Sequence, residues 1–318
     1  MSEKRYYAGI DLGGTFIKCG ILSECGDILI KDQIPTGKDR PYVEIARDMA
    51  DFVVSLASRA GVSVSGIGIG SPGAINSATG VIVYSNNIAW ENVPLGEEVA
   101  KLTGLPVKVA NDANVAALGE GFVGGGRNYN SYIVITLGTG VGGGVIIDGK
   151  LFEGNLSAGT ELGHMVIRTG GAYCTCGRRG CFEAYSSATA LIRQTKTAMR
   201  RHRDSAMWQI AGTLNRVDGK TAFDAAAVGD TAACDVVGKY VDYLADGITN
   251  LANIFRPEAI LIGGGVSKQG DALITPLKRE VEQRIYGIKG YAPVEIATAT
   301  LANDAGICGA VKLIIDNM

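Results

Sequence analysis

The chain has 318 residues, 47% of them hydrophobic and 19% charged, with 30 Lys plus Arg against 32 Asp plus Glu. That length accommodates about two domains, and the composition excludes both intrinsic disorder and coiled coil. A formal net charge of -2 argues against a nucleic-acid or polyanion partner, which needs a surplus of cations to displace counterions.

The 45 glycines are about twice the usual share and point to a site built from tight loops. Seven cysteines, an odd number with three crowded between 174 and 181, read as thiols of a reducing compartment. Asp11 cuts the first apolar stretch far short of a signal-peptide core. The uncharged stretch 128–147 is long enough to span a bilayer, but its glycines and polar residues suit a buried strand–loop–strand better. The expectation is a soluble cytoplasmic protein with no membrane partner.

In chain order, Tyr6–Leu12 and Phe16–Leu22 are apolar strands flanking Gly13–Gly14, and a third strand covers Ile28–Ile34. Ile45, Met49, Phe52, Val53 and Leu56 recur at helical spacing. Strand signals return at Gly66–Gly70 and Pro106–Ala110, followed by a helix-compatible stretch over Asn114–Phe122. The pattern of residues 6–22 then recurs from residue 131, with Leu12–Gly13 matched by Leu137–Gly138. Such a repeat implies an internal duplication and two similar α/β halves. Beyond a loop-rich stretch over 148–183, Thr231–Phe255 reads as a long helix stopped by Pro257. A strand over Ala259–Ile262, the loop Gly263–Gly265, a helix over Ala272–Ile285 and a strand over Val294–Ala297 come next. Asn303 or Asp304 suits the N-cap of a last helix ending at Ile315.

Two glycine loops, Asp11–Thr15 and Leu137–Gly140, each join apolar strands. Backbone N–H groups can converge on phosphate oxygens there, with a threonine hydroxyl as a further donor. Asp11 would repel a phosphate directly, so holding Mg²⁺ through water suits it. Two other patterns mislead. Gly68–Gly73 is interrupted by Pro72, and Gly219-Lys-Thr221 lacks the leading glycine of a phosphate loop, with Leu214 in its place.

Cys174-x-Cys176-x4-Cys181 with His164 supplies three thiolates and an imidazole, the donor set of a closed, structural zinc site. A disulfide or unrelated thiols are the alternatives. Asn111-Asp112 ends a strand where α/β proteins place active groups, and a carboxylate there can accept a hydroxyl proton. Either residue equally suits capping of the following helix.

Taken together, Asp11-Leu-Gly-Gly-Thr15, Leu137–Gly144, Glu161-Leu-Gly-His164 and Cys174–Glu183 resemble the ROK family of bacterial sugar kinases and sugar-responsive repressors. The resemblance runs from the first strand to the last helix. It implies two similar actin-like (ribonuclease-H-like) α/β ATPase domains with an interdomain cleft. An N-terminal domain over 1–113, joined by the C-terminal helix 303–318, would face a larger domain over 114–302 that carries the zinc loop. The implied activity is an ATP-dependent hexose kinase acting on the 6-hydroxyl of glucose, with Asp112 as general base. Asn111, Glu161, His164, Glu183, Asn87 and the backbone near Gly73 would hold the sugar. Asp11, Gly13, Gly14, Thr15, Gly138, Thr139, Gly140 and Gly264 would hold ATP with Mg²⁺. His164, Cys174, Cys176 and Cys181 would hold Zn²⁺. The family commonly forms homodimers or homotetramers. An N-acylmannosamine kinase is the rival within the class, and a non-catalytic sugar sensor the rival outside it. The family's repressors carry a DNA-binding segment before the first strand, where only Met1–Arg5 stand in this sequence, so a repressor is not expected.

Overall fold

A computed structural model describes residues 4–287 and 290–318, with thirteen strands and ten α-helices among them. By its internal contacts the chain divides into two units, one of residues 1–131, 144–160 and 300–318, the other of residues 132–143 and 161–299.

The chain opens with β1 (Tyr6–Leu12), β2 (Phe16–Ser23), β3 (Ile28–Pro35), α1 (Tyr42–Ala60) and β4 (Val64–Ser71). The short strands β5 (Ala74–Asn76), β6 (Val81–Ser85) and β7 (Trp90–Val93) follow, then α2 (Leu95–Thr103), β8 (Val107–Asn111) and α3 (Asp112–Val123). Strands β3-β2-β1-β4-β8 form one sheet in that order, and β5–β7 form a small sheet of their own. β1 is antiparallel to β2 and parallel to β4, which is parallel to β8. As its spacing predicts, α1 buries Ile45, Met49, Phe52, Val53 and Leu56, packed with Ile10, Ile17, Ile21, Ile67 and Ile69 of the sheet. The αL residue Gly61 ends that helix. The small sheet and α2 were not expected, because strands of three to five residues carry too few alternations to read.

Next come β9 (Tyr132–Leu137), β10 (Val141–Ile147) and β11 (Lys150–Phe152), then α4 (Glu183–Ser186), α5 (Ala188–Arg201), α6 (Met207–Ala211) and α7 (Thr221–Ala227). The chain closes with α8 (Thr231–Phe255), β12 (Ala259–Gly263), α9 (Asp271–Arg284), β13 (Glu295–Thr298) and α10 (Ala305–Ile315). The second sheet runs β11-β10-β9-β12-β13, matching the first strand for strand. The duplication read from the two glycine loops is therefore a duplication of topology. Helix α8 has the predicted bounds, with the Asp230 side chain capping its first turn.

Glycine decides where α10 sits. A Cβ on Gly9 would lie 2.1 Å from the Ile307 carbonyl oxygen, and one on Gly68 1.7 Å from that of Ala310. The helix thus lies backbone to backbone on β1 and β4. Gly68, part of the misleading glycine pattern, serves this packing. A Cβ on Gly309 would be 1.6 Å from the Val115 oxygen, and one on Gly119 2.3 Å from that of Ala305, so α3 and α10 meet equally closely. By its contacts α3 packs with α10 and groups with the first unit, beyond residue 113.

Candidate functional site

In the first unit, the β1–β2 loop is a tight turn closed by Gly13 N–H donating to the Phe16 carbonyl at 2.9 Å. Buried Thr36 braces it, its hydroxyl donating to the Gly13 oxygen at 2.6 Å and its N–H to the Thr15 oxygen at 2.9 Å. A Cβ on Gly14 would stand 3.4 Å from the Asn87 carbonyl oxygen, so the Asn87 backbone runs against the loop. Asp11 pairs with Lys18 Nζ at 2.9 Å, the residue opposite it in the hairpin register. Gly306 comes close enough that a Cβ there would be 2.8 Å from the Asp11 carboxyl carbon. Sequence reasoning did not single out Lys18, which antiparallel pairing across residues 13–16 sets opposite Asp11.

At the end of β8, Asn111 caps α3, its Oδ1 accepting from the Ala113 and Asn114 N–H groups at 2.9 and 3.3 Å. Its Nδ2 donates to the Gly73 oxygen at 3.1 Å. The capping role thus falls to Asn111, and Asp112 follows as the first helical residue. Asp112 Oδ1 accepts the Ala113 N–H at 2.8 Å, and the helix N-terminus favours its negative charge. Gly73, at φ +116°, admits no side chain, since a Cβ would meet the Tyr84 oxygen at 2.3 Å.

In the second unit, Gly138 N–H closes the Leu137–Gly140 loop on the Gly140 oxygen at 3.0 Å. The start of α5 holds the loop from behind: Ala188 N–H donates to the Gly138 oxygen at 2.9 Å and the Thr189 hydroxyl to the Thr139 oxygen at 2.8 Å. Gly264, at φ +83°, lies on Leu137 so closely that a Cβ would be 2.5 Å from the Leu137 oxygen. Glu183 Oε2 accepts the Val141 N–H at 3.0 Å, beside Gly140.

The cysteine loop is a small knot. Cys174 N–H donates to the Arg178 oxygen and Gly177 N–H to the Cys174 oxygen, turning the chain back. The side-chain donors of His164, Cys174, Cys176 and Cys181 all lie within 4.8 Å of one another. Cys176 and Cys181 sulfurs are 3.6 Å apart, and Cys174 Sγ is 3.7 Å from His164 Nδ1. Tetrahedral zinc with bonds of about 2.0–2.3 Å sets its donors roughly 3.5–3.8 Å apart. The donor set, and the spacing of these two pairs, are compatible with that ion. Burial pushes the Cys181 thiol up to about 12, whereas the Arg178 N–H holds the exposed Cys176 thiol below its ordinary value. His164 is placed by Gly163, where a Cβ would stand 2.1 Å from the Val141 oxygen. Glu161 is exposed. At Gly219-Lys-Thr221, Asp218 Oδ1 accepts from the Lys220 and Thr221 N–H groups, so that stretch is a helix start and not a phosphate loop.

The ROK family model matches residues 7–317. A glucokinase of Thermotoga maritima is 39% identical over 96% of this chain and 96% of its own length. A glucokinase of Halalkalibacterium halodurans is 41% identical over 96% of this chain and 93% of its own. The crystal structure of a ROK family glucokinase from Streptomyces griseus, in complex with glucose and AMPPNP, superposes with a TM-score of 0.79 and 33% identity, covering 97% of this chain and 98% of that one. The architecture is the two-domain actin-like ATPase fold of such kinases. On the match along nearly its whole length, the chain belongs to the ROK family.

Proposed function

We propose that the chain is an ATP-dependent glucokinase, transferring the γ-phosphoryl group of ATP to the 6-hydroxyl of glucose. The observation that carries this reading is the placement of Asp112: a carboxylate on the first turn of α3, beside an Asn111 already committed to capping, and so not needed as the cap itself. The identity with two named glucokinases supports glucose as the acceptor.

In this reading Asp112 takes the proton as the sugar oxygen attacks the γ-phosphorus. The bond from that phosphorus to the β–γ bridging oxygen breaks in line, and ADP leaves. Glu161, His164, Glu183, Asn111, Asn87 and the Gly73 backbone hold the remaining hydroxyls and aim one of them at the phosphorus. Gly13, Gly14 and Thr15, with Gly138, Thr139 and Gly140, form the two turns that cradle the phosphates, Gly13 and Gly138 closing the turns with their own N–H groups, and Gly264 seats the adenosine side. Mg²⁺, held through Asp11, would neutralise phosphate charge. Zn²⁺ on His164, Cys174, Cys176 and Cys181 would pin the loop that carries Glu183 and leave the other ring nitrogen of His164 for the sugar. The protein works in the cytoplasm as a homodimer or homotetramer, which light scattering of the purified protein would settle.

The test is ADP release with Mg-ATP against glucose, N-acetylmannosamine, N-acetylglucosamine, mannose, allose and fructose. A clear preference for glucose is expected. Preference for an N-acetyl sugar would replace the substrate and keep the chemistry, and no turnover with any sugar would overturn the kinase reading.

A further inference from the structure

Between the C-terminal half of α5 and the N-terminal half of α8 lies a cleft of about 300 Å³, wholly within the second unit. None of its lining residues belongs to the glycine loops or the cysteine knot. Arg193 and Arg201 line it from α5, Lys239 and Asp235 from α8, together with Tyr185 and Tyr243. Three permanent cations thus face one carboxylate, in a chain whose formal net charge is -2. Among the described residues none of the three cations is in an ion pair. Arg193 spends one N–H on the Ala184 carbonyl oxygen, and its other donors remain.

Surface cations are ordinarily scattered or paired; three gathered unpaired around one concavity form a binding surface for a compact polyanion. Guanidinium and ammonium groups together suit a phosphate, the first as a fork and the second as a point charge. Asp235 argues against a bare anion and for a ligand that also carries hydroxyl groups, which a carboxylate can accept. The two tyrosines, with ring centroids 4.6 Å apart and the Arg168 guanidinium over Tyr243, add aromatic surface for a ring. We propose that the α5–α8 cleft is a binding site for a phosphate monoester of a hydroxylated ring compound, separate from the phosphate loops.

The test is calorimetric titration of the full chain, first saturated with glucose and the imido analogue of ATP so that the kinase site is occupied. Glucose 6-phosphate, AMP and inorganic phosphate are then added in separate experiments. One equivalent of glucose 6-phosphate or AMP is expected to bind, and which of the two binds more tightly identifies the source as a phosphosugar or a nucleotide. Arg201→Ala/Lys239→Ala is expected to weaken that binding at least tenfold with an unchanged melting temperature, and Asp235→Ala to weaken the ring compound but not phosphate. Equal affinity for inorganic phosphate, or equal binding by the double variant, would overturn the proposal. Failure of the kinase reading shows separately, as absence of heat in the saturating step.

Discussion

Glu183 ties the second glycine loop to the cysteine knot: its Oε2 accepts the Val141 N–H at 3.0 Å while its Oε1 lies 3.6 Å from Cys174 Sγ. One carboxylate therefore connects two features that are well separated in the sequence, its bond to Val141 alone spanning 42 residues. Glu183→Ala leaves the Val141 N–H without its acceptor and removes the group packed against Gly140. An unpaired buried donor costs about 1–3 kcal/mol, and a loss of about 1.4 kcal/mol is tenfold in affinity. The KM for ATP and that for the sugar should both rise, each by roughly tenfold. A rise confined to the sugar would mean that Glu183 touches substrate without shaping the loop.

Asp112→Asn separates chemistry from architecture. Asn111 provides the cap, and an asparagine amide oxygen at 112 can still accept the Ala113 N–H. The melting temperature and calorimetric glucose affinity should stay close to those of the parent. Turnover should fall by about 10²–10⁴, the usual contribution of a positioned base. Unimpaired turnover would remove Asp112 from the reaction.

Glu120 is the charged side chain whose removal should most damage the first unit. It is 1% exposed, yet accepts from the N–H groups of Gly125 at 2.8 Å, Thr300 at 3.0 Å and Leu301 at 2.8 Å. The last two open the final segment of the first unit, so one carboxylate ties the end of α3 to that segment. Glu120→Ala strands those donors in the interior, at about 1–3 kcal/mol for each left unsatisfied, and should read as a clearly lower urea midpoint. Glu120→Gln keeps an acceptor and should cost less. Equal midpoints for Glu120→Ala and the parent would show that the donors find other partners.

What could be read in advance follows from the range of the signal. Periodicity over many residues places α1 and α8, and the repeated strand–glycine–strand plan announces two matching sheets. The donor set of the knot is legible because three cysteines and a histidine lie within eighteen residues of chain. Glu120 is not legible: Thr300 stands 180 residues away, and an acidic residue near a helix end ordinarily reads as solvated. The α3–α10 packing hides for the same reason, since Gly119 and Gly309 show their purpose only when the helices meet. Asn111 and Asp112 lie between these cases. Strand-end placement marks the pair, but only geometry assigns the cap to Asn111.

Metal removal tests the knot. Zinc analysis should find one ion per chain, and Cys176→Ala should release it, lower the melting temperature and weaken sugar affinity through His164 and Glu183. Stripping with a chelator should reproduce those effects in the parent, and adding zinc back should reverse them. A metal-free chain with unchanged melting temperature and sugar affinity would refute the zinc assignment.

A pH test falls on Asp230, remote from the proposed chemistry. Burial alone would raise its pKa, but the N–H groups of Ala233 and Ala206, both at 2.7 Å, and the Ser205 hydroxyl bring it below the ordinary 3.8. A carboxyl group depressed on folding contributes stability that is fully present above its unfolded value. That contribution is lost as pH falls through the lower folded value. Asp230→Ala should therefore destabilise by about 1 kcal/mol at pH 7, the usual effect of losing an N-cap. The difference from the parent should be the same at pH 6 and pH 7 and shrink below the unfolded value, as protonation removes the cap in the parent. Urea midpoints of both proteins between pH 7 and pH 3 provide the measurement. A difference that stays constant down to pH 3 would show that the ionised carboxylate does not hold the start of α8.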